Sequence, residues 1–302
     1  MAVLRRRAPS TVRVSRWEQR LQSRPVDTEH APTDAFRLDP KLIPTRIRHA
    51  LLGTPAETAF RQIQKRTVPL VTVTANSPAG PLSLRAPPES ILVELIRDDG
   101  VYEPALTAAM VDTVDADAVV YDVGSRYGYY STLAVAAGVA PSNVHCFETD
   151  IIAHHVLEAN HRGEPVVANR VRVGGVTGRG RTTLDAYAET HAPPTVVKID
   201  TEGAEGDVLR GATSVLRTHR PVLFVEMHPH RGVSVSRVVD RLRYHEYELS
   251  AFVGHHVGDV VDGEADSDTE RDAAREAWRP IEAVDLPSDR TFLLRATPIE
   301  RT

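Results

Sequence analysis

From Val119 onward the sequence alternates short apolar runs with segments whose apolar residues recur at helical spacing, and this restricts the chain to few architectures. The runs at 118–123, Val144–Phe147, Thr195–Ile199 and Pro221–Met227 read as strands, with a weaker one within Val166–Val173. Between them lie helical patterns at 129–137, 151–160, 204–217 and 234–243. A short helix is opened by Thr182, with Asp185 three residues on. Strands alternating with helices are joined by right-handed crossovers and build a parallel sheet covered on both faces. Two last runs, Tyr247–Val253 and Thr291–Arg295, flank a long polar connection and are expected as an antiparallel pair at one edge.

Ahead of this region the pattern is less regular. Residues 42–66 carry Leu42, Ile43, Ile47, Leu51, Leu52, Phe60 and Ile63, a spacing for one or two helices broken near Gly53–Pro55. Val68–Thr74 and Pro81–Arg85 are β-type runs joined by Ser77-Pro78-Ala79-Gly80, which predicts an antiparallel hairpin. Glu89–Leu95 reads as helix, Asp98-Asp99-Gly100 as a turn, and Glu103-Pro104 as the opening of another helix. Seven arginines fall by position 24 with no apolar segment behind them, so the N-terminus is not a secretory signal. It reads as a disordered basic arm in preference to a binding arm. The expected division is a basic arm at 1–40, an extension of helices and a hairpin at 41–100, and an α/β domain at 101–298 with an acidic loop at 262–271.

Composition removes several function classes. A chain of 302 residues can bury a sizeable core. The net charge of −5 opposes a nucleic-acid surface spread over the whole molecule. A single cysteine, Cys146, excludes an internal disulfide framework and a Cys-rich zinc site. No run approaches the about 18 apolar residues of a membrane span, and a cytoplasmic location is expected.

In an open parallel sheet the ligand lies beyond the carboxyl ends of the strands, where strand order reverses. The first strand ends in Asp122-Val123-Gly124-Ser125-Arg126-Tyr127-Gly128, and a helical pattern (Tyr130, Leu133, Ala134, Ala137) follows at once. Glycine permits the sharp turn and the close approach of a ligand, and the helix N-terminus supplies N–H groups. The spacing is not the G-x-G-x-x-G of a dinucleotide site. It suits a ligand without a pyrophosphate, with Asp122 accepting from an ammonium or hydroxyl. Glu148 ends the second strand, 26 residues beyond Asp122, placed to accept both ribose hydroxyls of a nucleoside. The competing role, capping the helix from about 151, is one that Asp150 can fill.

Asp200-Thr201-Glu202-Gly203-Ala204-Glu205 follows the fourth strand, and Glu226-Met227-His228-Pro229-His230 the fifth. At a period of two, Asp200 and Glu202 share one side, as do Glu226 and His228. These acid–base groups then meet beside the ligand. His228 is the natural base for a hydroxyl proton, oriented by Glu226 or Glu202. The rival is a divalent metal held by Asp200, Glu202, Glu226 and His228, which is not favoured. Glu205 reads as a first-turn residue that offsets the helix dipole.

Taken together, Asp122-Val123-Gly124…Gly128-Tyr129-Tyr130-Ser131, Phe147-Glu148, Thr183-Leu184-Asp185, Lys198-Ile199-Asp200-Thr201-Glu202-Gly203-Ala204-Glu205, Val208-Leu209, Gly211-Ala212 and Glu226-Met227-His228 resemble the FkbM-type methyltransferases. The likeness spans roughly residues 100–253, and K-I-D-x-E-G-A-E is its most specific block. It implies a class I, Rossmann-like methyltransferase fold: a mostly parallel, doubly wound α/β sheet with an antiparallel edge, preceded by the helical and hairpin extension. It implies S-adenosylmethionine as co-substrate and methylation of oxygen on sugars, glycans or polyketide-like products.

By that resemblance Asp122, Gly124 and Gly128 lie along the methionine end of the cofactor, and Glu148 takes the ribose. Asp200 and Glu202 face the methyl and the acceptor, with Glu226 and His228 beside them. The family usually shows Gly-Ala-Asn-Ile/Val-Gly where this chain has Gly124-Ser125-Arg126-Tyr127-Gly128, so Arg126 and Tyr127 are counted with the cofactor contacts. No acid occurs in Gly174–Gly180, where many relatives contact the adenine, and Val176 is left to serve through its backbone.

The function expected is therefore transfer of a methyl group to a hydroxyl of a small molecule or glycan. Two alternatives differ in class. A nucleic-acid methyltransferase on the same fold is opposed by the absence of a Pro-Pro-aromatic motif after the fourth strand and by the acidic charge balance. A non-catalytic scaffold on the cofactor fold draws on the altered glycine loop. Binding of S-adenosylmethionine separates it from both enzymes.

Overall fold

The computed structural model describes residues 68–253 and 278–300; the basic arm, the helices expected within 42–66 and the acidic loop lie outside these residues. β1 (Val71–Ala75) and β2 (Leu82–Ala86) pair antiparallel, with Val71 opposite Ala86. Val73, Ala75, Leu82, Leu84 and Ala86 are buried, as a period of two requires of a hairpin with one covered face. α1 (Ile91–Asp99) starts at Ser90, whose Oγ accepts the Val93 N–H, and ends at Gly100 with φ +75. The turn expected at Asp98-Asp99 is therefore the last turn of a helix, which the left-handed glycine stops. α2 (Pro104–Thr113) opens with proline, whose missing N–H costs nothing there.

The alternating region follows as β3 (Val120–Val123), α3 (Tyr129–Ala136), β4 (Val144–Phe147), α4 (Ile151–Asn160) and β5 (Val167–Asn169). A small two-stranded sheet of β6 (Arg172–Val173) and β7 (Arg181–Thr182) comes next. α5 (Leu184–Ala188) is capped by Thr183, one residue beyond the expected Thr182, because Thr183 Oγ1 reaches the Ala186 N–H. β8 (Val196–Ile199) leads to α6 (Glu205–Arg210), and β9 (Val222–Met227) to α7 (Val235–Tyr244).

The single helix expected over 204–217 is interrupted. α6 stops at Gly211, and a π-helical turn at Val215–His219 follows. Gly211 packs so closely on the Gly174 carbonyl that an added Cβ would lie 2.1 Å from it. Asp185 bridges the break, its N–H bonded to the Gly211 carbonyl and its Oδ1 accepting the Val215 N–H.

The chain ends with β10 (Tyr247–Phe252), β11 (Arg279–Pro280) and β12 (Phe292–Pro298). The main sheet runs β11-β10-β12-β9-β8-β3-β4-β5. β9, β8, β3, β4 and β5 are parallel. β12 lies antiparallel between β9 and β10, so the expected edge pair is present, with the last strand on the inner side.

Both faces of the sheet are covered. Tyr121, Phe147, Ile199 and Val225 pack with α5, α6 and α7 through residues such as Leu184, Leu209 and Leu242. Val120, Val144, Cys146 and Phe224 pack with the hairpin, α1, α2 and α3. The β3, β4 and β8 strands are accordingly buried at every position, which is why they read as unbroken apolar runs. The hairpin and α1, expected as an extension, share this core with the sheet. Among the described residues no helix is long and apolar enough to cross a membrane.

Candidate active site

Strand order reverses between β3, which leads on to β4, and β8, which leads on to β9. The carboxyl ends of β3, β4, β8 and β9 deliver Asp122, Glu148, Asp200 and Glu226–His228 to one side of the molecule. Asp200 is tied to β3 by its N–H, which bonds the Val123 carbonyl at 2.9 Å.

The glycine loop is built by the protein's own packing. Gly124 (φ +84) lies so close to β8 that a Cβ would come within 1.7 Å of the Asp200 carbonyl oxygen, and Gly128 (φ +87) would meet Leu157 at 2.6 Å. Ser125 Oγ donates to the Asp122 carbonyl, and the Phe147 N–H donates to Ser125 Oγ, pinning the loop to β4. Ser131 Oγ contacts both the Gly128 carbonyl and His161 Nε2, and Glu164 holds His161 Nδ1. This chain has the order of a hydrolase triad, yet Ser131 is fully buried, so it serves as a brace for the turn.

Glu148 lies against this loop. Its Oε2 accepts the Arg126 N–H at 2.9 Å and its Oε1 the Asp150 N–H at 2.6 Å. Asp150 caps α4, accepting from Ile152 and Ala153, so Glu148 is not needed there. Burial pushes the Glu148 carboxyl up to about 7, against the backbone N–H bonds it accepts. Each oxygen retains acceptor capacity for ribose hydroxyls. Arg126 holds a left-handed backbone (φ 51) and its guanidinium lies over the Tyr127 ring, 5.8 Å from its centre.

Asp122 is fully buried, and neither of its oxygens accepts a hydrogen bond. Burial pushes it up to about 6, opposed by Lys198, whose Nζ lies 3.9 Å from Oδ1. Lys198 Nζ also donates to Asp200 Oδ2 at 3.3 Å. Burial raises Asp200 too, but Lys198 and then His228 outweigh it, and its carboxyl sits below the ordinary range.

His228 is held from both sides. Nδ1 meets Glu205 Oε1 at 3.0 Å, and Nε2 lies 3.5 Å from Glu226 Oε1. Glu205 is fully buried, and the same Oε1 accepts from the Thr201 N–H, the Thr201 hydroxyl and the Gly203 N–H. Burial disfavours the imidazolium, but the Glu205 bond and the charges of Glu226 and Asp200 outweigh it, and His228 is raised above its ordinary value. Glu205 therefore orients His228, the role expected of Glu226 or Glu202, and it was legible only as a helix-dipole residue. Its carboxylate closes the 201–205 turn and keeps Nδ1 occupied.

Glu202 does not join the cluster. The backbone turns left-handed at Glu202 (φ 56), so the period of two ends at Asp200, and the Glu202 side chain pairs with Arg231 at 2.8 Å on the surface. Val176 is more than half exposed and lines a pocket with Arg172, Gly174, Gly175, Arg181 and Asp207, a lining that does not include Asp122, Glu148, Asp200, Glu226 or His228. Asp200, Glu226 and His228 do converge: one donor atom of each lies within 4.8 Å of the others, close enough to admit a divalent cation.

A parallel sheet with its last strand reversed and inserted between β9 and β10, together with the glycine loop at the switch point, defines the class I S-adenosylmethionine-dependent methyltransferase fold. The residues present fit that ligand: a helix N-terminus behind the loop, Glu148 at the next strand tip, and Asp200 Oδ1 buried without a hydrogen-bond partner among the described residues. Residues 123–249 match the model of the methyltransferase FkbM domain, and S-adenosylmethionine is the co-substrate which that match supports.

Among solved structures, the chain is similar to methyltransferase FkbM from Methylobacillus flagellatus KT, at 18% identity and a TM-score of 0.39, covering 59% of this chain and 43% of that one. It is also similar to a SAM-dependent O-methyltransferase from Thermotoga maritima, at 13% identity and a TM-score of 0.38, covering 76% and 78%. A putative S-adenosylmethionine-dependent methyltransferase from Listeria monocytogenes shows 12% identity and a TM-score of 0.41, covering 64% and 96%. No curated protein matches the chain.

Proposed function

We propose that this domain methylates a hydroxyl oxygen of a small molecule or glycan, with His228 taking the hydroxyl proton. The observation that carries the reading is the Glu205–His228–Glu226 arrangement at the strand tips. With Nδ1 committed to Glu205, Nε2 is the nitrogen left to accept a proton, and it faces the cluster containing Asp200.

Bound S-adenosylmethionine supplies an activated methyl group, so this chain's residues need only align the acceptor and remove its proton. The 124–128 loop with Arg126 and Tyr127 holds the methionine end, and Glu148 holds the ribose. Asp200 faces the transferred methyl, with Asp122 acting on it from behind. Glu226 takes part of the imidazolium charge as the proton arrives.

The test is incubation of the purified protein with label in the methyl of S-adenosylmethionine and fractionated extract, followed by mass identification of the product. A methyl ether in the product is the expected result; label found only on nitrogen or carbon overturns the reading. Asp200, Glu226 and His228 also have the donor chemistry for a divalent ion. Activity that survives a chelator supports the base, and activity restored only by added metal replaces it.

A further inference from the structure

Lys198 interrupts an otherwise apolar strand, Val196-Val197-Lys198-Ile199, and is 4% exposed. An ammonium is not left in such a place without partners. In the register of the sheet Lys198 stands beside Asp122 on β3, on the same face. Its Nζ lies between the two carboxylates, 3.9 Å from Asp122 and 3.3 Å from Asp200. The Tyr130 ring covers it, 5.0 Å from Nζ to the ring centre. Tyr130 in turn donates its hydroxyl to buried Glu103, which holds the entry to α2 with a left-handed backbone, φ 45. The side chain is thus fixed from three directions.

We propose that Lys198, backed by Asp122, is a positioning residue that holds the Asp200 carboxylate aimed at the sulfonium end of the cofactor. Asp122 is fully buried, and Lys198 links it to Asp200. Lys198 engages Asp200 Oδ2, which leaves Oδ1, buried and without a hydrogen-bond partner, as the atom turned to the ligand. Asp200 lies beside Glu226, and two carboxylates that close keep both charges only where a cation stands by. Lys198 supplies a cation on the Asp200 side, and His228 stands on the Glu226 side.

The inference rests on the cofactor geometry of the proposed function but not on its acceptor or base. S-adenosylmethionine and S-adenosylhomocysteine differ by one methyl and one positive charge. A defect confined to folding or loop shape weakens both alike; loss of the Asp200 charge weakens the sulfonium more. The full-length protein and its Lys198→Met and Asp200→Asn variants are titrated calorimetrically with each ligand.

Each variant is expected to lower the preference for the sulfonium over the thioether about tenfold. The Lys198→Met/Asp200→Asn double variant should lose no more than the worse single one, because both act on the same charge. Should Lys198→Met fail to fold with Asp122 left alone, Lys198→Met/Asp122→Asn removes both buried charges and is read in the same way. An unchanged or increased preference for the sulfonium in a folded Lys198 variant overturns the proposal, as do additive losses. Wild-type protein that binds neither ligand overturns the cofactor reading itself.

Discussion

Glu205 Oε1 lies 3.0 Å from His228 Nδ1, inside a turn where the same oxygen gathers two backbone N–H groups and a threonine hydroxyl. One buried carboxylate thus shapes the 201–205 turn and occupies Nδ1 of the imidazole. In the proposed function this pair acts as a base and its orienting acid, brought together from the tip of β9 and the first turn of α6.

His228→Ala should lower kcat by about 10²- to 10⁴-fold, while S-adenosylhomocysteine affinity, measured by calorimetry, stays within about threefold. Equal loss of both would place His228 in cofactor binding. Because His228 is raised above its ordinary value of 6.5, it keeps its proton to higher pH and is a base only above that point. The pH profile of kcat/KM should therefore rise on the alkaline side of 6.5, and Glu205→Gln should move that rise to lower pH.

In the ribose role proposed for it Glu148 acts as a carboxylate, and burial lifts it from 4.5 to about 7. S-adenosylhomocysteine affinity should therefore increase between pH 6 and 8 and level off beyond. Glu148→Gln should bind about tenfold more weakly and show a flatter profile. The sign for stability is opposite. The folded state holds this proton more tightly than the unfolded one, so the contribution is full below 4.5 and is lost as pH rises through about 7. Urea denaturation of the ligand-free protein across that window tests it.

Gly124→Ala should destabilise the fold by more than about 2 kcal/mol, since the new Cβ meets the Asp200 carbonyl at 1.7 Å. Gly138→Ala is the control: φ is also positive, +105, but nothing lies within 4 Å. It should cost about 1 kcal/mol of backbone strain alone. Chemical denaturation midpoints with matched slopes would show the difference.

His161→Ala removes the partner of Ser131 and loosens the Gly128 turn. A loss of about 1–2 kcal/mol of stability is expected. Cofactor affinity should fall as the loop relaxes. Ester hydrolysis by the wild-type protein would contradict the assignment of Ser131 and His161 as a brace.

Much of the fold was legible in the chain because parallel strands covered on both faces must be apolar throughout. Val120–Val123, Val144–Phe147 and Val196–Ile199 announce themselves in that way, and the helices between them fix a crossover topology. Asp150 as a cap and Glu148 at a strand tip follow from local rules of the same kind. The break at Gly211 does not, because it depends on the carbonyl of Gly174, distant in sequence.

The candidate site divides along the same line. Sequence periodicity placed Asp200, Glu226 and His228 at the ends of two successive strands, since alternation is a local property and a strand–helix–strand crossover makes successive strands neighbours. It placed Glu202 with them and Glu205 outside, and the structure reverses both. The left-handed backbone at Glu202 ends the alternation one residue after Thr201, and a single turn of chain then folds Glu205 under His228. Lys198 likewise carries a signal in sequence, a charge within an apolar run, but its partners are chosen by the register of β8 against β3. Contacts between strands decide which charges meet, and no local rule contains them.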